Sequence, residues 1–464
     1  MNNKFNLEIK GFGLINKADI EINKINVVGG VNSSGKSTAS KILYCFLKAN
    51  SSDIKDYVLA AILPTINKFI NIMEHPDPNA NVNLPSKYTV EDDIKTILRN
   101  YSSAVKIFKG LNKENFFNIP DEILYDMKRK IDKFIPILTD KKNTKVYSSV
   151  VQSLFENESL LNFKGQSTFS NDSFKSLVSY EYNDEERYWS MGDRYHELSL
   201  KGYLKEDLDD FDENFIYFTE GSFDFLNKIF YIDSISYFDL NYYLNSNSKI
   251  KEVFGYKEHV EYILNVLENY NNQNEKNLSE DIKEKSNLIN NAISEIIQGH
   301  IYKLPEDLEL LDDFNYYYVP NSPIKQQYDV NVSSGIQQIS IIQMLLDKYL
   351  LCPGSFLIID EPEVNLHPEW QFKFAEILVL LTKELDITLY LNSHSPMFIE
   401  SIDAFCEYYD MEDYINYYLT EESGNEGKYN FTKIESDELY KLYSNLGNPY
   451  HLIDQLRLKK QLGE

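Results

Sequence analysis

Cysteine is scarce in this 464-residue chain: it has three, Cys45, Cys352 and Cys406, far apart and without a CxxC pair. That spacing argues against a disulfide framework or a cysteine-based zinc site and suits a reducing compartment. Long apolar runs are missing too. The most apolar helical stretch, 339–351, is broken by Asp347 and Lys348 and is too short to span a bilayer. The opening MNNKFNLEIKGFG has no apolar signal core, so a cytoplasmic location without a membrane partner is expected. Positive charge is in deficit, with 46 Lys and Arg against 72 Asp and Glu, a formal net charge of −26. Such a surface repels nucleic-acid backbone on average, so DNA binding would need a local basic groove or another subunit. The plainer meaning of the charge is solubility. No internal repeat is visible. At 43% hydrophobic and 25% charged, the chain otherwise has the composition of an ordinary globular protein. Its length allows two or three compact units, or one core with a large insertion.

Hydrophobic patterning divides the chain into four parts. In 1–50, short strands at 5–9, 18–22 and 25–28 lead into Gly29-Gly30, and the period then becomes helical from 37 to 47. Residues 51–228 read as a mainly helical insertion, with Val58, Ile62, Ile66 and Ile70 at helical spacing; the acidic run 181–220 reads as exposed or loosely ordered. A return strand at 230–236 and two helices, 259–270 and 278–298, occupy 229–300. Ile282, Ile289, Ile293 and Ile296 line one face of the second helix. The pair suits a short helical arm or an ordinary packed hairpin, with too few heptads for a long coiled coil. From 301 to 464 the pattern is α/β again: strands at 316–319 and 328–332, a helix from Gly335, an apolar strand at 356–359, a helix from Glu369, and a strand at 387–391. A hairpin at 415–419 and 430–434 follows.

Four motifs carry chemistry. Gly30-Val-Asn32-Ser33-Ser34-Gly35-Lys36-Ser37-Thr38 fits GxxxxGK[ST] between a buried strand and a helix start. Small residues there let backbone N–H groups converge on phosphates, and the helix dipole favours the anion. Lys36 would reach the β- and γ-phosphates, Ser37 would ligate Mg²⁺, and Thr38 would hold the α-phosphate side. The run Phe356-Leu-Ile-Ile-Asp360-Glu361-Pro362-Glu363 describes a buried parallel strand delivering acids to the sheet's C-terminal edge. Asp360 would hold the metal through water, and Glu361 would orient and deprotonate an attacking water. Upstream, Ser333-Ser334-Gly335-Ile336-Gln337 opens a helix, as any serine-capped helix could. Downstream, His394 follows the next core strand in Leu391-Asn-Ser-His394-Ser-Pro396.

In this order, the motifs resemble an ABC-class head related to the RecF, SMC and OLD ATPases over about residues 3–50 and 300–400. DEPEVNLHPEWQ followed by SHSP is similar to the OLD-like branch. The resemblance implies an α/β fold: an ABC-type (SMC-like) ATPase head with a large mainly helical insertion and a short helical arm. It implies ATP and Mg²⁺ as cofactors, His394 as a switch residue contacting the γ-phosphate, and residues 364–368 as the D-loop. Ser333, Gly335 and Gln337 would form the signature that meets a nucleotide held by Lys36 of another subunit, in a homodimer or higher homo-oligomer. Two departures accompany it. No Q-loop glutamine stands out, and the stretch after His394 lacks the DxD of the Toprim nuclease of OLD proteins. Stand-alone heads of this kind look like ATPase subunits of anti-phage systems such as PARIS or Septu, which answer a phage-derived trigger and act on a separately encoded nuclease. A RecF- or SMC-like DNA-repair ATPase and a slow or non-hydrolysing ATP-dependent clamp are the alternatives.

Overall fold

INVVG and FLIID are buried at every position, and TLYLNS at all but its first. Runs that hide both faces belong to parallel strands covered on both sides, and these three are adjacent in the sheet, each with a neighbouring strand on either side. The structure is a computed structural model that describes residues 5–50, 154, 175–182, 185–194, 197–202, 228–233, 258–268, 278–303, 316–321, 327–328, 334–424, 427–444 and 446. All of these belong to one of the chain's two units, Met1–Ser51 with Leu154–Glu464, and none belongs to the other, Ser52–Ser153. Most of the expected helical insertion, Ser333, and the polar run joining the two expected helices lie outside the described residues.

The strands are β1 (Phe5–Phe12), β2 (Ile15–Ile22), β3 (Ile25–Gly29), β4 (Lys175–Tyr182), β5 (Glu185–Arg194), β6 (Glu197–Gly202), β7 (Ile229–Ile232), β8 (Gly299–Lys303), β9 (Tyr316–Pro320), β10 (Gln327–Tyr328), β11 (Phe356–Asp360), β12 (Thr388–Ser393), β13 (Ile415–Glu422) and β14 (Tyr429–Ile434). The helices are α1 (Lys36–Asn50), α2 (Glu258–Glu268), α3 (Glu280–Ile297), α4 (Ser334–Asp347), α5 (Pro368–Leu385) and α6 (Pro396–Tyr408). Among the described residues, eleven strands form one sheet in the order β6-β5-β4-β1-β2-β14-β13-β3-β12-β11-β7, and β10-β9-β8 form a second. The half β13-β3-β12-β11-β7 is parallel throughout. Its register pairs Gly29 with Ser393, Asn392 with Asp360, and Ile359 with Ile232. Four strands therefore end at one edge, where ligands of open α/β sheets bind.

The reading of 51–228 as mainly helical fails at β4, β5 and β6, an antiparallel meander that extends the sheet beyond β1. Within the acidic run, Glu185–Arg194 and Glu197–Gly202 are likewise strand rather than a loose segment. The period-two alternation in KSLVSYEY and ELSLKG, each of zero net charge, is the physical signal for a strand.

α1 is buried on nearly all sides from Ala39 onward, as a helix enclosed by other elements must be. The Lys48 ammonium of α1 lies 3.2 Å from the centroid of the Tyr262 ring of α2, a cation–π contact. α3 starts at the Ser279 cap and ends at Gln298 in the left-handed conformation. Its buried stripe of Ile289, Ile293, Ile296 and Ile297 packs on α4 and α5. α2 packs on β7, so each helix of the expected arm lies against the body of the unit. Among the described residues, no helix is long and apolar enough to cross a membrane.

Candidate active site

β3 runs into the glycine loop, and α1 begins at Lys36. A Cβ on Gly30 would stand 1.7 Å from Thr420 Oγ1 of β13, and one on Gly35, at φ 92°, would stand 2.8 Å from Ile15 Cγ1. Both positions admit glycine alone, which keeps the loop backbone tight against the sheet. Thr420 also donates to Ser34 Oγ at 2.8 Å. The Ser34 hydroxyl is thus committed inward, leaving its backbone N–H as its route to a ligand. Asn32, Ser33 and Ser37 are exposed, and Thr38 is half-buried. Lys36 is 5% exposed, and its Nζ donates to the carbonyls of Gly30 at 2.8 Å and Val31 at 2.7 Å. Burial lowers its pKa, while Asp360, Glu361 and Glu363 pull it the other way. The ammonium and the three acids therefore share one electrostatic site.

Asp360, 8% exposed, ends β11. Its Oδ1 accepts from Asn392 Nδ2 at 2.9 Å and its Oδ2 from the Tyr231 hydroxyl at 3.3 Å. Asn392 Nδ2 also donates to Ser40 Oγ at 3.0 Å, and Ser40 Oγ donates to the Ser37 carbonyl at 3.1 Å. One polar chain thus joins the two residues expected to hold a metal. At the next position the backbone turns sharply: Glu361 has φ 55°, and its N–H donates to the Asn392 carbonyl at 2.9 Å.

His394 leaves the end of β12, and Ser395 caps α6 by accepting from the Phe398 N–H at 3.3 Å. The His394 Nδ1 lies 3.6 Å from Glu361 Oε1 and 3.2 Å from Glu363 Oε1. Glu363 is 4% exposed, and its Oε1 accepts from Ser393 Oγ at 2.8 Å, His394 N–H at 2.8 Å and Ser395 N–H at 3.1 Å. Burial raises the Glu363 carboxyl above its ordinary value, opposed by the His394 N–H, the His394 charge and the Ser393 hydroxyl.

Gly335, near the start of α4, touches the loop after the acids: a Cβ there would meet the Asn365 carbonyl oxygen at 2.7 Å. Gln337 is buried within α4. His367 caps α5, accepting at Nδ1 from the Glu369 N–H at 3.3 Å. β7 is followed beside Asp360 by Asp233, whose Oδ2 lies 3.3 Å from Nε2 of the buried His259, so the strand next to the acids brings an acid rather than a glutamine to this edge. Sequence reasoning assigned no role to Tyr231, Ser40, Asn392, Thr420 or Glu363. Glu363 and Asn392 stood inside quoted motifs. Tyr231 and Thr420 reach the site only through strand order, which no local pattern reveals.

A glycine loop over a parallel sheet edge, with a buried lysine facing two or three acids, defines a P-loop nucleotide-binding protein. The family model "AAA ATPase domain" matches residues 5–399, and the chain belongs to that family. No curated protein sequence matches it. Among solved structures, it is similar to an SMC head domain from Thermotoga maritima, at 12% identity and TM-score 0.34 over 94% of this chain and 100% of that one. It is also similar to an Smc head domain with an extended coiled coil bound to the C-terminal domain of ScpA, from Pyrococcus furiosus, at 12% identity and TM-score 0.35 over 95% and 98% of the two chains.

Proposed function

We propose that this chain binds Mg-ATP at the β3–α1 loop and hydrolyses it. The observation that carries the reading is the meeting of Lys36, Asp360, Glu361 and His394 at one sheet edge. The residues fit the cofactor. Gly30 and Gly35 leave a cradle that no side chain can fill, which suits backbone N–H contacts to phosphate. The Ser37 hydroxyl and Asp360 carboxylate are hard oxygen donors, the kind Mg²⁺ takes one or two of while phosphates and water supply the rest. Held by Ser37 and Asp360, Mg²⁺ would supply positive charge against the negative charge of the phosphates. Lys36 adds a second positive charge. Glu361 orients the attacking water and accepts its proton, and the His394 ring, 3.6 Å from Glu361, steadies the arrangement. Phosphate release tests this: wild type should turn over ATP, and Glu361→Gln should bind ATP yet release little phosphate. Equal turnover in the two would overturn the assignment.

By its resemblance, the chain would act as an ABC-type head, with Ser333, Gly335 and Gln337 of one copy completing the nucleotide site of another. We extend the proposal to an ATP-dependent regulator of a separately encoded nuclease in anti-phage defence. The acidic balance of −26 supports a protein partner over direct DNA binding, the requirement of the repair reading. A salt-dependent DNA-binding titration separates them, since tight binding by this chain alone would favour repair.

A further inference from the structure

The turn that carries His394 is not fixed by its own backbone. The N–H groups of His394 and Ser395 lie at a strand end and a helix start, where donors lack intrahelical partners. Both donate to one buried oxygen, Glu363 Oε1, as does the Ser393 hydroxyl, and the Ser395 N–H is shared with Ser393 Oγ at 3.1 Å. That oxygen comes from the acidic loop, two residues beyond Glu361. A second side chain ties the same pieces. Gln371 of α5 donates from Nε2 to the carbonyls of Glu363 at 3.3 Å and Leu366 at 3.1 Å. Its Oε1 accepts from the Ser395 hydroxyl at 3.3 Å.

We infer that Glu363 is a positioning residue for ATP hydrolysis: with Gln371 it clasps the acidic loop to the His394 turn, so that Glu361 and His394 hold one geometry. The clasp rests on the ATPase reading above. Neither residue need touch nucleotide. Glu363 is committed to three donors and is almost wholly buried, whereas the Glu361 and His394 side chains are 31% and 37% exposed. The Gly335 contact extends the clasped loop to α4, since Asn365 lies between Glu363 and Gln371.

The test separates positioning from bulk stability. Glu363→Ala removes the acceptor, and misplacing reacting groups by about 1 Å lowers kcat on the order of 10–100-fold. KM for ATP and the Kd of a non-hydrolysable analogue should stay within about twofold, because the loop that holds phosphate is untouched. Glu363→Gln keeps a carbonyl oxygen for the three donors and should recover kcat to within about threefold of wild type. Gln371→Ala, at a half-buried helix position, should lower kcat with little change in melting temperature. Wild-type kcat in Glu363→Ala overturns the clasp. So does a parallel loss of folding, analogue binding and turnover in Glu363→Ala and Glu363→Gln alike, which would mark a purely structural residue. The His394 ring signals in histidine-selective NMR, assigned with His394→Ala, read the clasp without turnover: they should move in Glu363→Ala and stay near wild type in Glu363→Gln. Unmoved signals sink the clasp, whereas a wild type without phosphate release but with those shifts sinks only the hydrolysis reading.

Discussion

Asn392→Leu should weaken the fold and the metal site together. Asn392 is fully buried, and its Nδ2 is shared between Asp360 Oδ1 at 2.9 Å and Ser40 Oγ at 3.0 Å. Leucine has the same branching and heavy-atom count but larger methyl groups, so no cavity is created and slight overpacking adds to the polar loss. A hydrogen bond to a charged group contributes about 1.5–3 kcal/mol, and one to a neutral hydroxyl about 1 kcal/mol, giving an expected destabilisation of about 2–4 kcal/mol. Added burial of apolar surface offsets a small part. Urea unfolding of the full chain reads this as a lower midpoint with unchanged slope. The remaining donor on Asp360 is Tyr231, at 3.3 Å from Oδ2. Removing that donor as well, by Tyr231→Phe, should cost more in the Asn392→Leu background than in wild type, with a coupling above about 0.5 kcal/mol. In the same variant, ATP turnover should need more Mg²⁺ to saturate. A midpoint within error of wild type, or strictly additive single and double variants, would refute the assignment of Asn392 as the support of Asp360.

Other predictions follow from the loop and the buried charges. Gly30→Ala forces a Cβ to 1.7 Å from Thr420 Oγ1, so it should cost about 1–3 kcal/mol of stability and weaken ATP-analogue binding. Adding Thr420→Ala should restore part of both losses in thermal melts and titrations. Lys36→Met should abolish analogue binding while leaving the fold at least as stable at neutral pH. Burial lowers the folded pKa of Lys36 below 10.5, so wild-type stability should rise as pH climbs through that folded value to 10.5, and the variant should lose this rise. Glu363 has the opposite sign. Burial raises its folded pKa above 4.5, so its contribution is full below 4.5 and is lost as pH rises through the folded value, with Lys36, His394 and Glu361 as the facing charges. Glu363→Gln should flatten that fall in pH-dependent urea midpoints and match or exceed wild-type stability at neutral pH.

Much of the site was legible because its chemistry is local. Lys36 and Ser37 follow the glycine loop in one motif, and Asp360 and Glu361 end an apolar run whose character alone demands a buried parallel strand. The supports were not legible for a topological reason. Thr420 meets Gly30 because β13 pairs with β3, although Thr420 comes 386 residues after Ser34. Tyr231 meets Asp360 across a separation of 129 residues, because β7 joins the sheet beside β11. Neither pairing follows from periodicity within a strand. The misread strands β4, β5 and β6 failed differently. Their alternation is present in the sequence, but each run is short and lies in or beside a stretch that is acidic on average, so the local pattern stands out little.

The backbone itself separates the site from its scaffold. Non-glycine residues at positive φ include Ser33 at 60°, Glu361 at 55° and Asn365 at 61°. Two others, Gln298 and Asp386, are helix C-caps, where the left-handed conformation ends a helix and satisfies its carbonyls. No helix end explains Ser33, Glu361 or Asn365. Ser33 lies in the phosphate loop, Glu361 is the proposed base, and Asn365 meets Gly335. A glutamate at positive φ costs on the order of 1 kcal/mol or more, and glycine would remove that cost. Glycine would also remove the carboxylate. The Glu361 N–H bond to the Asn392 carbonyl holds the strained turn, and the Glu363 clasp begins two residues later. The strain is therefore retained where a carboxylate must leave the strand direction and face His394, and the hydrogen bonds on either side of it are what keep it there.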